Sequence, residues 1–197
     1  MWKTITIQYL RGGIMSFSLT TKRLLLEDLT AADLPHLQRI GHDRELMKYV
    51  LIWLDNDEQI RAFLQHAIDE SQKEERMDYI LAVRDKTTRE FVGLTFIEID
   101  RQCTSTAEVG CVLLPEFCAN GYGSEILQAF MAFGFETLGV HRVYGKCDEL
   151  NVPSARTLEK GGLKYEGTVR EHVWLRDHWR STRYYGMLAD EYRSLHR

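Results

Sequence analysis

The sequence predicts an α+β domain built on one mixed, mostly antiparallel sheet with flanking helices. Three observations carry this. The segments "DYILAVRD" (78–85) and "EFVGLTFIEI" (90–99) are strand-like and joined by the turn "DKTT" (85–88), which makes a hairpin. A strand–helix–strand unit over 106–148 supplies one crossover, where a parallel pair belongs. Two further strand-like runs, 164–175 and 180–188, close the chain as an antiparallel pair. Hairpins outnumber crossovers, so a doubly wound α/β sheet is excluded.

In chain order, residues 1–16 fit poorly with the remainder of the chain, because Gly12-Gly13 interrupt them and Met15 precedes a strong strand-like start. They are expected to be an N-terminal arm, or a start-site artefact if translation begins at Met15. Residues 17–197 are expected to form a single domain. "KRLLLEDL" (22–29) reads as a strand. A helix comes next, with Thr30 as N-cap, Asp33 in its first turn, and Leu34, Leu37 and Ile40 on one face. A second amphipathic helix over 55–75 carries Ile60, Phe63, Leu64, Ala67 and Ile68. After the hairpin, "TAEVGCVLL" (106–114) is the next strand. A helix runs from about 121 to 138, with Ile126, Leu127, Phe130, Met131, Gly134 and Leu138 at three- and four-residue spacing and Gly139 as its stop. "HRVYGKCD" (141–148) is a strand and "SARTLEKG" (154–161) a short helix closed by Gly161-Gly162.

Of the 197 residues 44% are apolar, enough for a real core in one domain. Charged residues make up 27% with both signs mixed, and the net charge of −4 offers no general attraction to nucleic acid or an anionic membrane. No apolar run reaches bilayer-spanning length and no signal peptide is evident, so a cytoplasmic protein is the expectation. Cysteines stand at 103, 111, 118 and 147 without a C-x-x-C pair, and free buried thiols are expected. Seven scattered histidines show no H-E-x-x-H or paired Cys/His spacing, and no metal is expected.

The stretch "LLPEFCANGYGSEILQAF" (113–130) carries the chemistry. An apolar run ends at Pro115, two glycines stand one residue apart after it, and a helix begins. The first turn of a helix has unpaired N–H groups and a partial positive charge. Gly121 permits a left-handed backbone, and Gly123 lets a ligand approach the main chain. An anion cradle can form this way without a cationic side chain. The P-loop pattern fails because no Lys follows either glycine, and the G-x-G-x-x-G fingerprint fails at Ile126. From the glycines alone, a plain strand–helix turn and an anion cradle remain alternatives.

The wider pattern separates them. "AEVGCVLLPEFCANGYGSEIL", followed some thirty residues on by "NVPSARTLEKGGLKYEGTVRE", resembles the GNAT N-acetyltransferase family, and "TTKRLLLEDLTAADL" resembles the opening of its branch of ribosomal-protein alanine and serine N-acetyltransferases. The resemblance spans about Leu19 to Leu188. It implies a GNAT-like sheet, acetyl-CoA as co-substrate and an amine acceptor, either a protein N-terminus or a small amine such as a polyamine or amino sugar. The family's loop [QR]-x-x-G-x-[GA] falls on Cys118 to Gly123, matching at both glycines and departing at Cys118. By the resemblance, Asn120, Gly121, Tyr122, Gly123 and Ser124 hold the pyrophosphate, and Val112 and Leu113 lie along the pantetheine. Asn151 and Ser154 match N-x-x-S near the thioester sulfur. Glu108 matches an acid facing the reaction centre in some relatives. The Tyr that many relatives place seven residues after the Asn is Leu158 here, which leaves leaving-group donation to Ser154 or water. Glu27 stands where the branch often has Arg.

Direct transfer in a ternary complex needs a neutral amine, a stabilised oxyanion and a departing thiolate. An α-amine with a pKa near 8 is about one-tenth neutral at pH 7, whereas a Lys amine near 10.4 is neutral to about one part in a few thousand. A protein or peptide N-terminus therefore asks least of a base. Glu108 is the candidate base, an N–H near Val112 the candidate oxyanion donor, and Ser154 a hydrogen-bond donor to the sulfur. A solvent-facing Glu108 and a purely helix-capping Asn151 are the plainer readings of the same residues. A Cys nucleophile at 111 or 118 lacks a recognisable partner in the sequence. His172, Trp174, His178 and Trp179 either pack on the last hairpin or line an acceptor pocket. A non-catalytic acyl-CoA sensor is the reading from a different functional class, and a monomer or homodimer is expected.

Overall fold

The computed structural model describes residues 4–9 and 15–196, with side chains from residue 16 onward. Among the described residues nine strands form one sheet in the order β1-β2-β3-β4-β5-β6-β7-β9-β8. They are β1 (Thr4–Tyr9), β2 (Met15–Thr20), β3 (Leu24–Asp28), β4 (Asp78–Asp85), β5 (Phe91–Ile99), β6 (Thr106–Leu113), β7 (Arg142–Asp148), β8 (Lys164–Leu175) and β9 (His178–Leu188). Only β6 and β7 pair in parallel; every other neighbouring pair is antiparallel. The sheet is thus the mixed, mostly antiparallel one expected.

The segment read as an arm contributes β1, whose "TITIQY" alternation suits a strand, paired with β2 from Thr4↔Thr20 to Tyr9↔Met15. The rest of that segment, residues 1–3 and 10–14, lies outside the described residues. The strand expected from residue 22 begins at Leu24, because Thr21 to Arg23 turn the chain and the Thr21 N–H donates to the Leu24 carbonyl at 2.9 Å.

The helices are α1 (Leu34–His42), α2 (Arg44–Met47), α3 (Asp57–Ser71), α4 (Tyr122–Ala132), α5 (Val152–Lys160) and α6 (Ala189–Leu195). A 3-10 turn over Ala31–Asp33 leads into α1, and the Thr30 N–H donates to Asp33 Oδ2 at 2.9 Å as the capping pattern predicts. Asn56 starts α3 by accepting from the Gln59 N–H at 2.9 Å. α4 is shorter than its periodicity suggests: it relaxes into a π-helical turn over Phe133–Leu138 before Gly139, at φ 68°, ends it. The sequence pattern does not reveal α2 and α6, which are too short to establish a period.

Two apolar layers sandwich the sheet. One face packs on α4 and α5 through Val109, Ile126, Leu127, Phe130, Val143 and Leu158. The other packs on α1 and α3 through Leu37, Ile40, Ile60, Leu64, Leu94 and Val112. Each fully buried Leu, Ile or Phe contributes about 2–3 kcal/mol. These layers fix where β6 and β7 lie, and the site depends on that placement.

Candidate active site

The parallel ladder between β6 and β7 is short. It runs Thr106↔Arg142, Ala107↔Val143, Glu108↔Tyr144 and stops, although β6 continues to Leu113 and β7 to Asp148. The strands diverge beyond Glu108. A cavity of about 90 Å³ fills the gap, lined among others by Glu108, Cys111, Lys146, Asn151, Ser154 and Leu158. Four of the predicted site residues, Glu108, Val112, Asn151 and Ser154, therefore line one opening although they come from β6 and the start of α5.

The main chain along this opening is set by the antiparallel ladder on the other side of β6. The Leu114 N–H donates to the Val92 carbonyl at 3.0 Å, and Val112 pairs with Leu94 two residues earlier. Alternation then turns the Val112 N–H toward β5 and the N–H groups of Cys111 and Leu113 toward β7. Leu113 thus presents its amide to the opening and Val112 does not. The Val112 side chain is buried against α1 and α3.

The glycine loop leads directly into α4. Gly121 is left-handed at φ 77° and occupies the N-cap with no side chain to cap the helix. The first turn therefore directs its N–H groups outward, as an anion site requires. Gly123 has a more local reason to be glycine: a Cβ there would stand 2.7 Å from Thr157 Cγ2 of α5. Its small size serves helix packing, not only ligand approach.

Arg23 holds the loop in place, a role that no local sequence pattern signals. Its Nε donates to Glu125 Oε2 at 2.7 Å and its Nη1 to the Asn120 carbonyl at 2.9 Å. The guanidinium lies 4.4 Å from the centre of the Tyr122 ring. Lys22, Arg23, Gly121 and Ser124 line a shallow depression at the same place. No Lys or Arg occurs between Leu113 and Phe130, but folding brings two cations from the β2–β3 turn, about a hundred residues away in sequence.

Asn151 caps α5: its Oδ1 accepts from the Ser154 N–H at 3.1 Å. Ser154 and Cys147 line the same cavity. Burial pushes the Cys147 thiol up to about 11 and that of Cys111 up to about 12. Both stay protonated at neutral pH, so neither is an activated nucleophile.

Glu108 is no solvent-facing charge. Its Oε2 accepts from Lys146 Nζ at 2.8 Å and from the Tyr144 hydroxyl at 3.0 Å. Desolvation and the neighbouring Glu108 charge raise the Tyr144 phenol well above its ordinary range, so it remains a donor. Neither partner was foreseen, because nothing in "RVYGKCD" reveals which residues of another strand it will face. On the last hairpin, Trp174 and Trp179 pack edge-on at 5.4 Å and stay about half exposed, and His172 Nδ1 lies 3.2 Å from Thr182 Oγ1. Glu27, at the position of the family's Arg, pairs with Arg84 at 2.6 Å and with Arg89 at 3.0 Å.

Comparison with known proteins agrees with this fold. The family model described as "Acetyltransferase (GNAT) domain" matches residues 23–164. The uncharacterized N-acetyltransferase YnaD of Bacillus subtilis (strain 168) is 28% identical over 174 residues, which are 88% of this chain and 98% of that protein. The crystal structure of spermidine N-acetyltransferase from Vibrio cholerae in complex with CoA and spermine superposes with a TM-score of 0.73 at 18% identity, covering 87% of this chain and 99% of that one. A ribosomal L7/L12 alpha-N-protein acetyltransferase in complex with coenzyme A gives a TM-score of 0.73 at 19% identity, covering 87% and 97%. At those identities the two structures share the fold alone. Among the described residues no helix is long and apolar enough to cross a membrane. The chain belongs to the GNAT family of N-acetyltransferases.

Proposed function

We propose that this acetyltransferase moves the acetyl group of acetyl-CoA to the α-amine of a protein or peptide, by direct transfer at the opening between β6 and β7. The pyrophosphate rests on the uncapped first turn of α4, from Asn120 to Ser124, with Lys22 and Arg23 adding charge at its edge. The pantetheine follows the β6 edge, where Cys111 and Leu113 offer amides. Ser154 and Asn151 stand beside the sulfur. The attacking nitrogen closes on the thioester carbonyl, the oxyanion meets an outward amide of β6, and the thiolate leaves with its electron pair. With a pKa of roughly 8.5 the thiol departs without a strong acid, consistent with Leu158 in place of a Tyr donor.

The observation that carries the acceptor assignment is the Lys146–Glu108 contact at 2.8 Å. A carboxylate held by an ammonium suits an acceptor that asks little of a base, such as an amine partly neutral at pH 7. The same ammonium repels a second positive charge on the acceptor. Both effects favour an α-amine over a polyamine. A small amine such as spermidine or an amino sugar is the competing acceptor, and an acyl-CoA sensor without turnover the competing class. Thiol release from acetyl-CoA, followed with free-α-amine peptides, α-blocked lysine peptides, spermidine and glucosamine, separates them. Release with the free-α-amine peptides alone supports the proposal. Release with spermidine alone overturns it, and binding of acetyl-CoA without release from any acceptor favours the sensor.

A further inference from the structure

Three carboxylates stand in one row across the sheet. The ladder pairs Asp78 of β4 with Glu98 of β5, and Glu98 with Glu108 of β6. Directly opposed residues point to the same face with Cβ atoms about 5 Å apart. The ends of the row are compensated. Asp78 Oδ2 meets His66 Nε2 at 2.9 Å and Arg101 Nη2 at 2.8 Å, and Glu108 meets Lys146 and Tyr144. The Glu98 carboxyl, in the middle, has no hydrogen bond or ion pair among the described residues. It is partly buried, while His66 at the far end of the row has a side chain 48% exposed.

Neighbouring carboxylates do not both ionise easily, and an unequal environment decides which one keeps the proton. Lys146 and Tyr144 sit on Glu108, so the negative charge settles there. Burial first, then Asp78 and Glu108, push Glu98 up to about 7, against smaller opposing effects of Lys146 and His66. The Arg101 cation lies at the Asp78 end.

We propose that Glu98 is a positioning residue for acetyl transfer, forming with Glu108 a like-charge pair whose fully ionised form accepts the proton of the attacking amine. The inference rests on the acetyl-transfer reading of Glu108. A negative Glu98 beside Glu108 opposes the Lys146 charge and favours uptake of a proton by the pair. As the C–N bond forms and the C–S bond breaks, the N–H proton passes to Glu108. The pair then returns that proton to water, with Asp78 and half-exposed His66 marking the wet end of the row. Glu98 never touches the substrate.

The test is Glu98→Gln. In the native enzyme kcat/KM for a peptide α-amine should fall on the acid side with two limbs, one from the amine and one from the pair. In Glu98→Gln the second limb disappears, and the rate at pH 8 drops about tenfold because Glu108 loses its activating neighbour. A second measurement needs no acceptor: ¹³C NMR titration of the Glu side-chain carboxyls in the native chain. One resonance should titrate near pH 7, vanish in Glu98→Gln, and move down in Glu108→Gln as the like charge is removed. A Glu98 carboxyl titrating between about 4 and 5, or an unchanged acid limb in Glu98→Gln, overturns the pair. A pair that titrates as described in a chain inactive on every acceptor overturns the acetyl-transfer reading and the positioning role given to Glu98, and leaves the coupled titration standing.

Discussion

At the scale of single residues, Glu108 is the group whose surroundings say most about chemistry. General bases contribute about 10²- to 10⁴-fold. Glu108→Gln should lower kcat/KM about a hundredfold while leaving the Kd for acetyl-CoA unchanged by calorimetry. Full activity in that variant would leave the proton to water alone. Glu98 carries a stability consequence as well. Its pKa in the folded chain lies above the ordinary 4.5, at about 7. The protonated form is therefore favoured by folding: the contribution is fully present below pH 4.5 and is lost as pH rises through about 7. The difference corresponds to at most on the order of 3 kcal/mol. Urea unfolding should show Glu98→Gln gaining on the native chain between about pH 5 and pH 8, and a constant gap would contradict the raised value. Glu108 was legible in the sequence through its place in "AEVGC". Glu98 was not, because its meaning comes from the register of three strands rather than from any local pattern.

At the scale of elements, the glycine loop leads into α4, and α4 packs on α5, whose first turn lines the opening. The family-like glycines made the loop legible. Arg23, which ties Glu125, Asn120 and Tyr122 together, was hidden by its distance in sequence. Ser124→Glu tests the cradle. A carboxylate in the first turn of a helix suits the helix itself, so thermal stability should hold, but it opposes a pyrophosphate, so the Kd for acetyl-CoA should rise at least about tenfold. An unchanged Kd would remove the pyrophosphate from this loop. Gly123 predicts a packing effect instead. Gly123→Ala brings a methyl to 2.7 Å from Thr157 Cγ2 and should cost about 1–3 kcal/mol. Thr157→Ser in the same chain removes that methyl and keeps the hydroxyl that donates to the Pro153 carbonyl at 2.9 Å, so it should recover most of the loss. No recovery would show that strain at Gly123 lies in the backbone.

At the scale of the whole molecule, the sheet serves to separate β6 from β7 at a chosen residue. Antiparallel pairing on the outer edges of both strands holds them, and the two apolar layers prevent the gap from closing. The class of fold and its single crossover were readable from hairpin spacing and one helical period. The point at which the β6–β7 ladder stops was not, since the strand patterns of 106–114 and 141–148 continue past it. The central claim, acetyl transfer to an α-amine at that gap, is tested most directly by mass spectrometry of a peptide carrying both a free α-amine and a lysine, incubated with the protein and acetyl-CoA. The predicted result is one acetyl group on the α-amine, with one thiol released per acetyl and the yield greatly reduced in Glu108→Gln. Acetylation on the lysine alone, or none while acetyl-CoA binds and spermidine is consumed, would contradict it.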